Sequence, residues 1–209
     1  MKEKTTKHQN YELVLPEGYQ EDKVIDAKHI TTAIVLNLFA LVLFFVVLGI
    51  GVLILLVTRF SNQRLEIEVT FADMRILIGM ILGMLLYIVL HELVHGLCYK
   101  LMTKQKLTFG LTLSCAFCGV PEVYTYKRCA LITILSPFVV FHFVFILPMF
   151  WVTSPILLLS LLILEALHVS GCIGDLYCAG LILFKYKGKT ILLNDTGPKQ
   201  TFYVLVSPF

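Results

Sequence analysis

Charge is what this chain has least of. Asp, Glu, Lys and Arg make up 15% of its 209 residues and hydrophobic types 58%, against about 25% and roughly 45–50% in an ordinary soluble domain. The shortage is concentrated, with no charged residue from Thr31 to Thr58 or from Ile76 to Leu90. Such runs exclude a soluble globular protein. The net charge of +3 is accounted for by loops and makes no case for nucleic acid. A cleavable leader is also missing, because the first 30 residues are polar and mix both charge signs; the first apolar helix is therefore expected to stay as an anchor. Cys115 and Cys118, in "SCAFC", form a CxxC without a second pair, so the zinc signal there is weak and ordinary thiols are expected. No internal repeat is seen.

The apolar runs set the architecture. A membrane crossing needs about 20 apolar residues at ~1.5 Å each. Four crossings are expected, at about 31–58, 75–102, 129–151 and 155–184, with Pro155 in the first turn of the last. The fold class is mainly α, a polytopic membrane protein with short β-strand and hairpin elements in its loops. A leader (1–30) and a tail (186–209) flank this core of residues 31–185. With both ends on one side, 14 of the 17 Lys and Arg fall on that side, which the positive-inside rule makes cytoplasmic. "YELVLPEGY" reads as a short strand and turn, and "LEIEVTF" as a half-buried strand. Residues 107–126 read as a hairpin or paired strands, whose edge could accept an extended peptide. "TILL" and "TFYVLV" suggest two more strands in the tail.

Against this background "LLYIVLHELVHGLCYK", residues 85–100, stands out. "HELVH" matches H-E-x-x-H, in which His91 and His95 project from one helix face and can donate to one zinc ion. Glu92, one position along, can serve as general base. Both histidines lie too far from Lys100 for short side chains to reach water easily. A hydrolytic zinc site needs a third protein ligand. The last helix offers Glu165, His168 and Asp175, and depth favours Asp175, which lies ten residues, roughly 15 Å, before Lys185, as deep as His91. His168, seven residues earlier on the same face, could contact substrate or the developing oxyanion, or could be a buried neutral histidine. Glu165 and His142 read as packing or cavity polar groups. Two Glu-x-x-His motifs, "ELVH" and "EALH", raise a di-iron bundle, but that site takes a Glu from each of the other two helices, and helices one and three contain no Asp or Glu.

"LHELVHG" in a membrane helix, a β-like loop ending "PEVYTYKR", a helix opening "ALITILSPF" and a later Asp together resemble the site-2 protease group of intramembrane zinc metalloproteases. The similarity is closer still to a compact bacterial "putative zincin peptidase" membrane family, over roughly residues 75–185. The resemblance implies a zinc ion held by His91, His95 and Asp175, with Glu92 activating water. It also implies a membrane-anchored protein substrate and a bacterial cell membrane. Two departures are visible: "SGCIGDLY" replaces the Leu-Asp-Gly pattern around the third ligand, and there is no inserted PDZ-like domain. Substrate filtering would then fall to the membrane core or a regulatory membrane partner. The alternatives are a catalytically silent scaffold of the same fold and a membrane metal transporter.

Overall fold

The computed structural model describes residues 10–59, 71–112 and 115–206, the side chains of 71–73 excepted. The strand expected in "LEIEVTF" falls largely on residues 60–70, outside the described residues. Among the described residues, three helices are long and apolar enough to span a bilayer: α1 (Ile30–Arg59), α2 (Phe71–Thr103, apolar from Met74) and α3 (Lys127–Met149). A fourth crossing is present if α4 (Pro155–Gly171) and the following segment Ile173–Lys185, bent 45° from it, count as one. That segment consists of α5 (Ile173–Gly180) and a π-helical turn (Leu181–Lys185). The single helix expected over 155–184 is thus broken at Cys172. Ser170 and Gly171 precede the break, the kind of small pair at which helices bend. The Cys172 N–H bonds to His168 O and Ser170 O.

The chain divides into two compact units. The first comprises residues 1–33, 92–136 and 175–209. Its frame is an antiparallel five-stranded sheet in the order β1-β5-β6-β7-β2, built from β1 (Tyr11–Glu12), β2 (Tyr19–Asp26), β5 (Tyr124–Tyr126), β6 (Ile191–Asp195) and β7 (Lys199–Leu205). A separate hairpin joins β3 (Thr108–Leu111) to β4 (Ala116–Gly119). The expected strands at 107–126 and in the tail are present; β5 and the two tail strands belong to a sheet shared with the leader, whereas β3 and β4 form the separate hairpin. β6 and β7 alternate apolar residues toward one face, and Ile191, Leu193 and Phe202 are buried there with Ile134 of α3 and Ile182. Gly197, at φ +101°, turns the chain between these strands. An L side chain is strained in that region.

One polar bond fastens α2 to the sheet. Tyr99 Oη donates to Asp195 Oδ2 at 2.7 Å, and the Gly197 N–H donates to Asp195 Oδ1 at 2.9 Å. Both side chains are buried, Tyr99 being 1% and Asp195 3% exposed. Burial pushes the Asp195 carboxyl up to about 6, against the opposing pull of these two donors.

The second unit comprises residues 34–91 and 137–174 and is nearly all helix. Gly51 of α1 meets Leu162 of α4 so closely that a Cβ there would overlap the leucine. Arg59, the last residue of α1, donates from Nη2 to Met149 O at 3.0 Å and to Phe150 O at 3.1 Å. The cation thereby satisfies two carbonyls at the C-terminal end of α3, which has no basic residue of its own in the last turn. Ser154 caps α4 by accepting from the Leu157 N–H, and Pro155 occupies the first turn as expected.

Because the Asp195 pKa is higher folded than unfolded, the native state binds the extra proton between about pH 4 and 6, and stability falls as pH rises through that window. At two pH units the loss is at most about 3 kcal/mol. Asp195→Asn can still accept from Gly197 and donate to Tyr99, so it should abolish most of the fall. Thermal unfolding in detergent at pH 4.5 and 7, wild type beside the variant, checks this.

Candidate metal centre

Near its C-terminal end α2 carries His91, Glu92 and His95. One helical turn separates the histidines, so both rings leave the same face. They are 8% and 7% exposed, whereas the preceding apolar residues Leu85, Leu86 and Val89 are exposed on the protein surface. The boundary between the two units falls between His91 and Glu92, within an unbroken helix, so the spacing of the two rings is local helix geometry.

Asp175 stands in the first turn of α5, and its Oδ2 lies 3.3 Å from His95 Nε2. Two ligands about 2.0–2.1 Å from a tetrahedral zinc ion are about 3.3–3.4 Å apart. The observed separation fits that edge. His91, His95 and Asp175 each offer one ligand atom, all within 4.8 Å of one another. Two imidazole nitrogens and a carboxylate oxygen are the donor set of a hydrolytic zinc site with a coordination position left for water. Glu92, half-buried on the same turn, is the carboxylate next to them in the chain.

A proline sets the orientation of His95. Its Nδ1 lies 2.9 Å from Thr133 O. In a regular helix that carbonyl would accept the N–H of residue 137, but residue 137 is Pro and has none. The carbonyl left without its helical donor takes His95 instead, together with the Ser136 hydroxyl at 2.9 Å. A carbonyl can only accept, so Nδ1 carries a hydrogen, and Nε2, the nitrogen that faces Asp175, is the one left to serve as a ligand once it gives up its proton. Neither Thr133 nor Pro137 was marked as functional in the sequence. The signal was there, a proline four residues after the carbonyl inside an apolar helix.

The β3–β4 hairpin packs beside the same turn. Gly96 follows His95, and a Cβ on it would meet the Phe109 ring of β3 and the Cys118 sulfur of β4. Burial, with the nearby charges of Glu92 and Asp195, pushes the Cys118 thiol up to about 12. Cys115, the other half of the CxxC, is only half-buried and lies in a turn where Thr112 Oγ1 donates to its carbonyl.

Of the two readings of His168, its surroundings are those of the buried histidine. It is fully buried, with Nε2 3.0 Å from Phe138 O and Nδ1 2.8 Å from Tyr87 Oη. The bend at Cys172 separates it from Asp175, so the seven-residue spacing no longer implies a shared face. A second group of ligand-type atoms, His91, His168 and Cys172, also lies within 4.8 Å. Both His168 nitrogens already have protein partners, so this set fits a metal less well than the first. Glu165 pairs with His142, and its Oε2 is buried with no hydrogen-bond partner. The two groups thus form a pair of their own.

A family model described as "Putative zincin peptidase" matches residues 84–190, just over half of the chain. No curated protein and no solved structure matches.

Two outcomes are expected. Pro137→Ala restores an N–H that competes for Thr133 O; the protein should melt no lower than wild type yet hold zinc several-fold more weakly, read by chelator competition. Native-state alkylation at pH 8, mapped by mass spectrometry, should label Cys115 well before Cys118.

Proposed function

The chain belongs to the family described as "Putative zincin peptidase", and from that premise we propose that it is an intramembrane zinc metalloprotease. It hydrolyses a peptide bond of a membrane-anchored protein near the cytoplasmic face of a bacterial cell membrane, both termini being cytoplasmic. The observation that carries this reading is the 3.3 Å approach of Asp175 to His95, with His91 and Glu92 on the same helical turn of an apolar span. His91 Nε2, His95 Nε2 and an Asp175 oxygen would hold the ion. Zinc, when bound, polarises the substrate carbonyl and makes water acidic enough to attack near neutral pH.

The remaining chemistry belongs to the chain. The Glu92 carboxylate takes the proton from the attacking water and returns it to the leaving amine, as a positioned general base does. A substrate helix hides its carbonyls in internal hydrogen bonds, so it must unwind before cleavage. The hairpin beside Gly96 supports a way of holding it extended. β3 pairs with β4 along one edge, and its Phe109 and Leu111 are 48% and 77% exposed. An extended segment could add to the other edge, its main chain bonded to β3 and its apolar side chains against those two. Comparable rates on unfolded soluble peptides and on membrane substrates would argue against a required unwinding step.

The departure from Leu-Asp-Gly at "SGCIGDLY" supports a second reading, a catalytically silent membrane scaffold or regulator of the same fold. Zinc content separates the two. Purified in detergent, wild type and Glu92→Gln should each hold one equivalent, while His91→Ala and Asp175→Ala should lose it. Glu92→Gln should cleave a membrane-anchored reporter about 10²–10⁴-fold more slowly. A wild type without zinc, or an Asp175→Ala that keeps it, removes the protease reading and favours the scaffold.

A further inference from the structure

Four groups in the second unit form a continuous polar chain. Phe138 O lies 3.0 Å from His168 Nε2, His168 Nδ1 is 2.8 Å from Tyr87 Oη, and Tyr87 Oη is 3.1 Å from His91 Nδ1. Its direction is set from one end. The Phe138 carbonyl can only accept, so His168 Nε2 carries the hydrogen. His168 is fully buried and packed among the rings of Phe138, Phe141 and Phe145, surroundings that favour the neutral imidazole. A neutral imidazole has one N–H, so Nδ1 must accept, and Tyr87 must donate to it. The Tyr87 oxygen is then left to accept from the His91 Nδ1–H. In a neutral His91, Nε2 is then the nitrogen that carries no hydrogen.

We propose that Tyr87 and His168 are positioning residues that hold His91 in the tautomer whose Nε2 is a metal ligand, the direction being imposed by the Phe138 carbonyl. The proposal rests on the zinc reading above for its purpose, although the hydrogen-bond direction itself does not depend on metal. His95 reaches the same tautomer by a different route, through the carbonyl exposed by Pro137. Two histidines on one helix are thus turned to one task by carbonyls of a single neighbouring helix, α3. One is addressed directly and the other through two side chains. Partners of this kind outside the ligand shell typically tune metal affinity about 10–100-fold. The chain also explains why His168 is no ligand: to bind a metal with Cys172, its Nδ1 would have to release Tyr87, and His91 would lose its orientation.

The experiment uses the full-length protein in detergent with ¹⁵N-labelled histidine, the His91 signals being assigned by their loss in His91→Gln. In the metal-free wild type, His91 should show one tautomer, with hydrogen on Nδ1. Tyr87→Phe removes the acceptor and should give a mixture. His168→Leu frees the Tyr87 hydroxyl to donate to His91 Nδ1 and should move the hydrogen to Nε2. In His168→Gln, the carboxamide can donate to Phe138 O and accept from Tyr87, so the wild-type tautomer should return. Zinc affinity, measured by chelator competition, should fall about 10–100-fold in Tyr87→Phe and His168→Leu and stay within a few-fold of wild type in His168→Gln. A His91 tautomer that does not respond to these changes, or unaltered zinc affinity in Tyr87→Phe, would overturn the proposal. So would zinc binding abolished by Cys172→Ser, which would make His168 a ligand. If wild type takes up no zinc, the protease reading fails, while the tautomer pattern in the metal-free protein still decides the relay.

Discussion

A polar group placed in hydrocarbon must find its partner within the protein, because there is no water to take its place. This constraint shapes the helices that carry ligand-type side chains. α3 shows how a cost becomes an orientation device. Pro137 breaks the helical ladder at one rung, and the carbonyl of Thr133, which has lost its helical donor, becomes an acceptor aimed at His95. The His142–Glu165 pair answers the same demand by side-chain pairing. At the helix end, Arg59 supplies donors to α3 carbonyls that have run out of N–H groups. The polar residues in these spans are sparse, and nearly every one whose contacts are described has an identifiable partner.

Much of the site was legible in the sequence because it depends on local geometry. The four-residue spacing of His91 and His95 is a property of any α-helix, and the depth of Asp175 follows from counting residues back from a basic helix end. That count survived the break at Cys172, because Asp175 and Lys185 both lie beyond it. The inference about His168 did not, because periodicity holds only along an unbroken helix and Asp175 lies across the bend. Most of the strands, β2 excepted, were individually visible as alternating segments near residues 11, 107–126, 191 and 201. Their assembly was not. Pairing among segments more than a hundred residues apart is decided by which apolar faces must be covered together, and a single segment carries no record of its partner.

Tyr87 shows another limit. A tyrosine in an apolar helix four residues before a histidine reads as an interfacial or packing residue. Its use becomes visible only when the nitrogen it serves, and the carbonyl that dictates its direction, lie within reach of it in three dimensions. Hydrogen-bond direction, unlike hydrophobic burial, passes from group to group and depends on every member of the chain.

The five-stranded sheet has a consequence in time. β2 lies at an edge next to β7, which is made long after it, and β5 pairs with β6 only after α4 and α5 have been synthesised. Asp195, which anchors Tyr99 one turn beyond His95, arrives in the same late segment. Translation proceeds from the N-terminus, so the ribosome must deliver every membrane helix before the unit bearing His95 and Asp175 can close. The nascent chain is therefore threaded into the bilayer with His95 and Asp175 still apart, and the sheet that frames them closes only once β6 and β7 have been made.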